Sequence, residues 1–270
     1  MTGVMIVGLG LAGGLHGALY GAYKDSPHES FLLRRFLREL VFAICLAMAL
    51  LAFPLTLAQS PFVIYTSVFA LSRVATETWK LFLRVEPQEG FRIPTQIHWV
   101  KGVVRNPLLR LLLGAGFLAS IYGLYRLFCL LPDTMPRVWR GVAVGFGIGV
   151  TEAIAGGYKD GTIEGFSWRK FAKSPTFGAL GGLTASAYTA DLPFLLLSAI
   201  GTTRMLLELL FKMTVRGYAP GKFPRIVGPY HEWMTKRRVF VAPYALTWAL
   251  FALLLLAPLA GEARARLGLR

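Results

Sequence analysis

The chain has 270 residues, 55% of them hydrophobic and only 16% charged, with a formal net charge of +15. A soluble domain of this length carries roughly a quarter charged residues, so an ordinary water-soluble globule is excluded and the membrane class comes first. A basic excess in a soluble chain would suggest nucleic acid; here the charges fall between uncharged runs at 40–58, 111–125 and 239–261, which excludes that partner and favours anionic lipid or an anionic solute.

The first apolar stretch, 3–22, has no basic n-region before it and no small-residue cleavage site, so it reads as a membrane span rather than a signal peptide. It opens with Gly8, Gly10 and Gly13 in G-x-G-x-x-G spacing after an apolar run. That is the dinucleotide fingerprint only when a strand precedes it and a strand–helix alternation follows. Neither is expected here, so these glycines read as helix-packing positions, and no cofactor is implied.

About 20 mostly apolar residues cross roughly 30 Å of hydrocarbon. On that rule the following spans are expected at 40–58, 61–83, 107–131, 139–157, 175–190, 192–213 and 239–260, making eight with the first. The sixth is short and rich in small residues (Gly178, Gly181, Gly182, Ala185, Ser186, Ala187), which suits either a tightly packed or a re-entrant helix. Cys45 and Cys129 lie far apart inside apolar runs and read as small buried hydrophobes, so neither a disulfide nor a metal site is expected.

The four long connections, 23–39, 84–106, 158–173 and 214–238, hold 18 of the 29 Lys and Arg residues, whereas the opposite side holds five. The positive-inside rule then puts the long loops in the cytoplasm and both termini outside, as in a bacterial inner-membrane protein.

An internal duplication is expected as well. Residues 21–38 align without gaps to 156–173 with eight identities in 18 positions, where chance gives about one. Downstream, Arg73 and Glu77 match Arg204 and Glu208, His98 matches His231, and Arg105 matches Arg238. The fold expected is an all-α bundle of eight spans in two tandem four-span units, 1–135 and 136–270. An even number of spans per unit makes the two parallel, with a pseudo-two-fold axis along the membrane normal.

The duplicated block carries Lys24, Asp25, Glu29 and Arg34 in the first unit and Lys159, Asp160, Glu164 and Arg169 in the second. Its bland reading is an interfacial elbow whose bases touch lipid phosphates; its functional reading is a cytosolic gate or anion-binding rim. Arg73–Glu77 and Arg204–Glu208 are the strongest site candidates, because charges deep in a span cost about 2.5–3.5 kcal/mol each unless paired or facing a polar cavity. At i, i+4 spacing each pair can close on itself as a structural clamp. Alternatively the arginines bind an anion, with the glutamates as counter-charges or proton carriers.

His98 and His231 fall in loops beside Trp99 and Trp233, and His16 has no histidine partner within a span, so haem ligation is not expected. No catalytic or metal-binding motif stands in a fitting context. The function expected is transport or channel-like passage of an anionic solute or lipid, with the site at the unit interface. The alternatives are a non-catalytic subunit of a larger membrane complex, with protein partners, or an enzyme acting on a lipid-linked substrate through Asp25, Glu29, Asp160 and Glu164.

Overall fold

In the computed structural model the residues described are 1–24, 31–86, 95–99, 102–208 and 236–266. Among them the architecture is all-α. The helices are α1 (Gly3–Lys24), α2 (Leu33–Leu50), α3 (Pro61–Thr78), α4 (Pro107–Phe128), α5 (Arg137–Glu164), α6 (Trp168–Tyr188), α7 (Leu192–Leu206) and α8 (Val241–Arg266). A 3-10 turn, Pro54–Ala58, leads towards α3, and α3 widens at its end into a π turn, Trp79–Leu83. A minimal antiparallel hairpin follows, in which β1 (His98–Trp99) pairs with β2 (Gly102–Val103).

Local sequence sets several helix starts. Ser60 and Asn106 cap α3 and α4 by accepting from the Val63 and Leu109 amides at 3.3 and 3.1 Å, and Pro61 and Pro107 follow them at the first helical position. A polar cap satisfies one otherwise orphaned amide, and proline there loses no hydrogen bond.

α3 and α7 lie against each other in the middle of the bundle. α1 and α2 pack on α3, α5 and α6 pack on α7, and α8 lies against α1 and α3. Phe251 of α8 joins the apolar cluster of Ile6, Ala43, Ala47, Phe62 and Tyr65, while Phe128 at the end of α4 joins Val144, Ile148, Leu195 and Ala199. Each of these helices therefore packs against helices of the other half of the chain, α4 through its last residue and α8 through Phe251 nearer its middle.

Small residues bring the first two helices of each half together. On α1, Gly10 faces Ala47 of α2, and Gly14 faces Ala43. On α5, Gly145 faces the Gly178 carbonyl and Gly182 of α6, and Gly149 faces the Ser174 carbonyl. A side chain at Gly145 or Gly149 would run into backbone, which holds these positions to glycine; such contacts replace the hydrophobic effect as the source of helix association in lipid. The glycine run at the N-terminus accordingly lies within one helix, with no strand before it.

Among the described residues, four helical segments are long and apolar enough to cross a membrane: Gly3–Tyr23, Pro107–Phe128, Arg137–Tyr158 and Arg237–Pro258. This corrects the expectation of eight. α2 starts seven residues before the predicted span and carries Arg34, Arg35, Arg38 and Glu39 in its first two turns. α6 likewise takes in Arg169, Lys170 and Lys173 and has Pro175 inside it. α7 has 15 residues, and α3 carries Arg73, Glu77 and several hydroxyl residues. α3 and α7 are also the most enclosed helices. A helix wrapped by protein does not need the uniformly apolar surface that lipid demands.

Cys45 and Cys129 are free and lie on the outer surface of the bundle, not in its interior. Residues 25–30, 87–94, 100–101, 209–235 and 267–270 lie outside the description, and with them Asp25, Glu29, His231 and Trp233.

Candidate functional site

Arg73 and Arg204 sit on α3 and α7, the two central helices, and the structure treats their charges differently. Arg73 donates to Glu77 one turn on, at 3.5 Å, and to Glu39 of α2, at 3.3 Å. It is largely enclosed, with 17% of its side chain exposed. Arg204 does not close on Glu208. It turns to Glu152 of α5, with 2.9 Å between Nε and Oε1, and leaves 46% of its side chain exposed.

Glu208 is thereby released to a different set of partners. It is buried, its Oε2 lies 3.4 Å from His16 Nε2, and the same oxygen accepts from the Tyr244 hydroxyl at 3.1 Å. His16 is fully buried on α1. Its Nδ1 lies 3.0 Å from the Tyr65 hydroxyl, which donates to the Thr247 carbonyl at 3.3 Å. The rings of Phe69, Tyr244 and Trp248 meet the imidazole edge-to-face at 5.0–5.3 Å. Four elements from both halves of the chain thus enclose one ionisable pair: α1, α3, the turn that follows α7, and α8.

Both His16 nitrogens are matched by oxygen partners. A neutral imidazole donates through one nitrogen and accepts through the other; a protonated one donates through both. His16 and Glu208 lie within hydrogen-bond distance of each other, and both are buried. In a low-dielectric interior an ionisable pair is stable only when such partners are present.

Sequence reasoning found Arg73, Glu77, Arg204 and Glu208 but not Glu39, Glu152 or the role of His16. The internal alignment does not point to these acids. Extending the gapless 21–38/156–173 alignment in both directions pairs Gly17 with Glu152 and Glu39 with Ser174. The acid that meets the arginine thus stands on the second helix, α2, in one half and on the first helix, α5, in the other. A side chain at Gly17 would begin 3.5 Å from Arg73 Cδ and 3.7 Å from Glu39 Oε2, beside the first-half ion pair. His16 and Glu208 are 192 positions apart, and no local pattern couples them.

The elbow residues are not gathered into one site among the described side chains. Arg34 reaches Glu86 at 3.2 Å, and Arg169 is exposed. The side chains of Lys24, Lys159, Asp160 and Glu164 lie outside the description, and α5 runs on through Glu164. His98 stands in β1, where its Nδ1 lies 2.8 Å from the Gln96 carbonyl oxygen and its own carbonyl accepts from Tyr158. No group of three or more His, Cys, Asp or Glu residues capable of holding a metal occurs among the described residues.

Comparison with known protein families, with curated proteins and with solved structures yields no match.

Proposed function

We propose that the chain is an integral membrane protein of two like-oriented halves, which passes an anionic solute or lipid across the bilayer at the seam between them. The observation that carries this reading is the buried His16–Glu208 pair, built from both halves and closed by Tyr65 and Tyr244. Ionisable residues at such depth mark proton relays and solute paths in membrane proteins. One turn away on α7, the half-exposed Arg204 offers an anion a guanidinium already oriented by Glu152. Support for two related halves comes from the sequence duplication and from the recurrence of glycine contacts at matched positions on α1/α2 and α5/α6.

Reconstitution into liposomes tests it. Flux of chloride, phosphate or an anionic lipid should be present in wild type and lost in Glu208→Gln and Arg204→Gln, with Arg126→Gln on the outer face of α4 unaffected. Absence of flux with every anion, or undiminished flux in both seam variants, sinks the reading.

One observation favours a second reading, that of a non-catalytic subunit of a membrane complex. Both central arginines already have carboxylate partners within the chain, as structural clamps require. In that case purification in mild detergent brings down stoichiometric protein partners, and a lone chain argues against it.

A further inference from the structure

We infer that the start of α2 and the segment after α3 form a binding site for the phosphate of an anionic lipid headgroup. The inference rests on the membrane reading above and names a lipid partner separate from the seam. Three guanidiniums converge on one carboxylate. Arg34 Nη2 and Arg35 Nη2 lie 3.2 and 3.6 Å from Glu86 Oε1, and Arg84 Nε lies 3.2 Å from Oε2. Arg84 is the largest fully buried side chain among the described residues, and its carbonyl is held by Gln96 at 3.2 Å and Arg110 at 2.5 Å. A fourth base, Arg38, stacks over the Trp79 ring at 5.3 Å, and its Nε is buried without a hydrogen-bond partner among the described residues.

The helix itself adds to this field. The first turn of α2 holds no acidic residue and no side-chain cap, so its amide dipoles and its arginines present the same sign to the same place. A helix N-terminus favours an anion; here it carries cations instead, which concentrates positive potential. Burial, followed by the charge of Arg84, holds the Arg38 guanidinium below its ordinary range, with Glu39 opposing. Glu86 meets part of this charge, and an anion beside Arg35 and Arg38 relieves the repulsion that remains.

Position points to a headgroup. The bases lie just before the uncharged run 40–58 and beside the start of α4, where the apolar segments begin. Tryptophan under a base is typical of the headgroup layer. Guanidiniums match phosphate oxygens two at a time, which distinguishes this cluster from a diffuse lysine patch.

Native mass spectrometry of the full chain in uncharged detergent, titrated with phosphatidylglycerol, phosphatidylcholine or inorganic phosphate, tests the site. Phosphatidylglycerol should bind where phosphatidylcholine does not, and Arg35→Gln/Arg38→Gln should weaken it by about tenfold. Arg38→Lys should retain part of the binding, which separates lost charge from lost fold, and Arg140→Gln near the loop between α4 and α5 should bind as wild type does. Equal binding of the two lipids, or full binding by the double variant, overturns the site. Millimolar phosphate that binds with the same arginine dependence and displaces phosphatidylglycerol assigns the cluster to a free anion and overturns the lipid. An alkaline-carbonate wash separates the two readings: a chain that stays in the pellet yet shows no lipid preference fails the site alone, whereas a chain that is released fails the membrane reading beneath it.

Discussion

Arg73 and Arg204 hold matching places on the two central helices, yet Arg73 is enclosed between two carboxylates and Arg204 is half open beside one. The difference follows from where a single acid sits. In the first half it stands on the second helix, as Glu39; in the second half it stands on the first helix, as Glu152, where the first half has Gly17. Each central arginine has a carboxylate partner, but on a different helix in each half of the chain. The second glutamates differ as well: Glu77 serves its own arginine, whereas Glu208 faces His16 and Tyr244.

The largest expected effect comes from Glu152→Ala. It removes the only carboxylate within ion-pair distance of Arg204 among the described residues. Breaking one partner from a buried pair costs about 3 kcal/mol or more, and the half-open guanidinium places this case at the low end. Thermal unfolding in detergent reads the loss. Glu39→Ala is expected to cost less, about 2 kcal/mol, because Glu77 stays with Arg73. Adding Gly17→Glu should restore part of that loss by placing the acid where the second half has it. A Glu39→Ala penalty exceeding that of Glu152→Ala, or no rescue by Gly17→Glu, breaks the comparison.

Much of this was legible in the sequence, and the rest was hidden for physical reasons. Arg73 and Arg204 stood out because a charge inside an apolar run is costly. Glu39 did not, because it lies at the boundary where the apolar run begins and reads as a loop residue. Glu152 lay in plain view within a glycine-rich span but had no visible partner until α5 met α7. The span count failed on α3 and α7 because hydropathy registers exposure to lipid, and those helices face mainly other helices. The His16–Glu208 pair was out of reach, since it depends on α1 meeting the turn that follows α7 rather than on any spacing.

The smallest expected effect is at the hydrogen bonds around that pair. Tyr244→Phe removes one donor from the buried Glu208 carboxylate and should cost about 1.5 kcal/mol. Tyr65→Phe acts on the His16 side instead and leaves both Glu208 contacts in place. Thermal unfolding in detergent reads both, and no loss in Tyr244→Phe would mean that this hydrogen bond does not hold the carboxylate.

The meeting of α3 and α7 underlies every step from the arginines to the buried pair. Thr66 and Ser198 face each other there, with 2.8 Å between their hydroxyl oxygens. In a chain with Cys45 and Cys129 replaced by serine and a protease site inserted between α4 and α5, Thr66→Cys/Ser198→Cys should form a disulfide in membranes under mild oxidation. The two protease fragments should then run together without reductant and separate with it. Fragments that separate in both conditions, with both thiols still alkylatable, would contradict the seam.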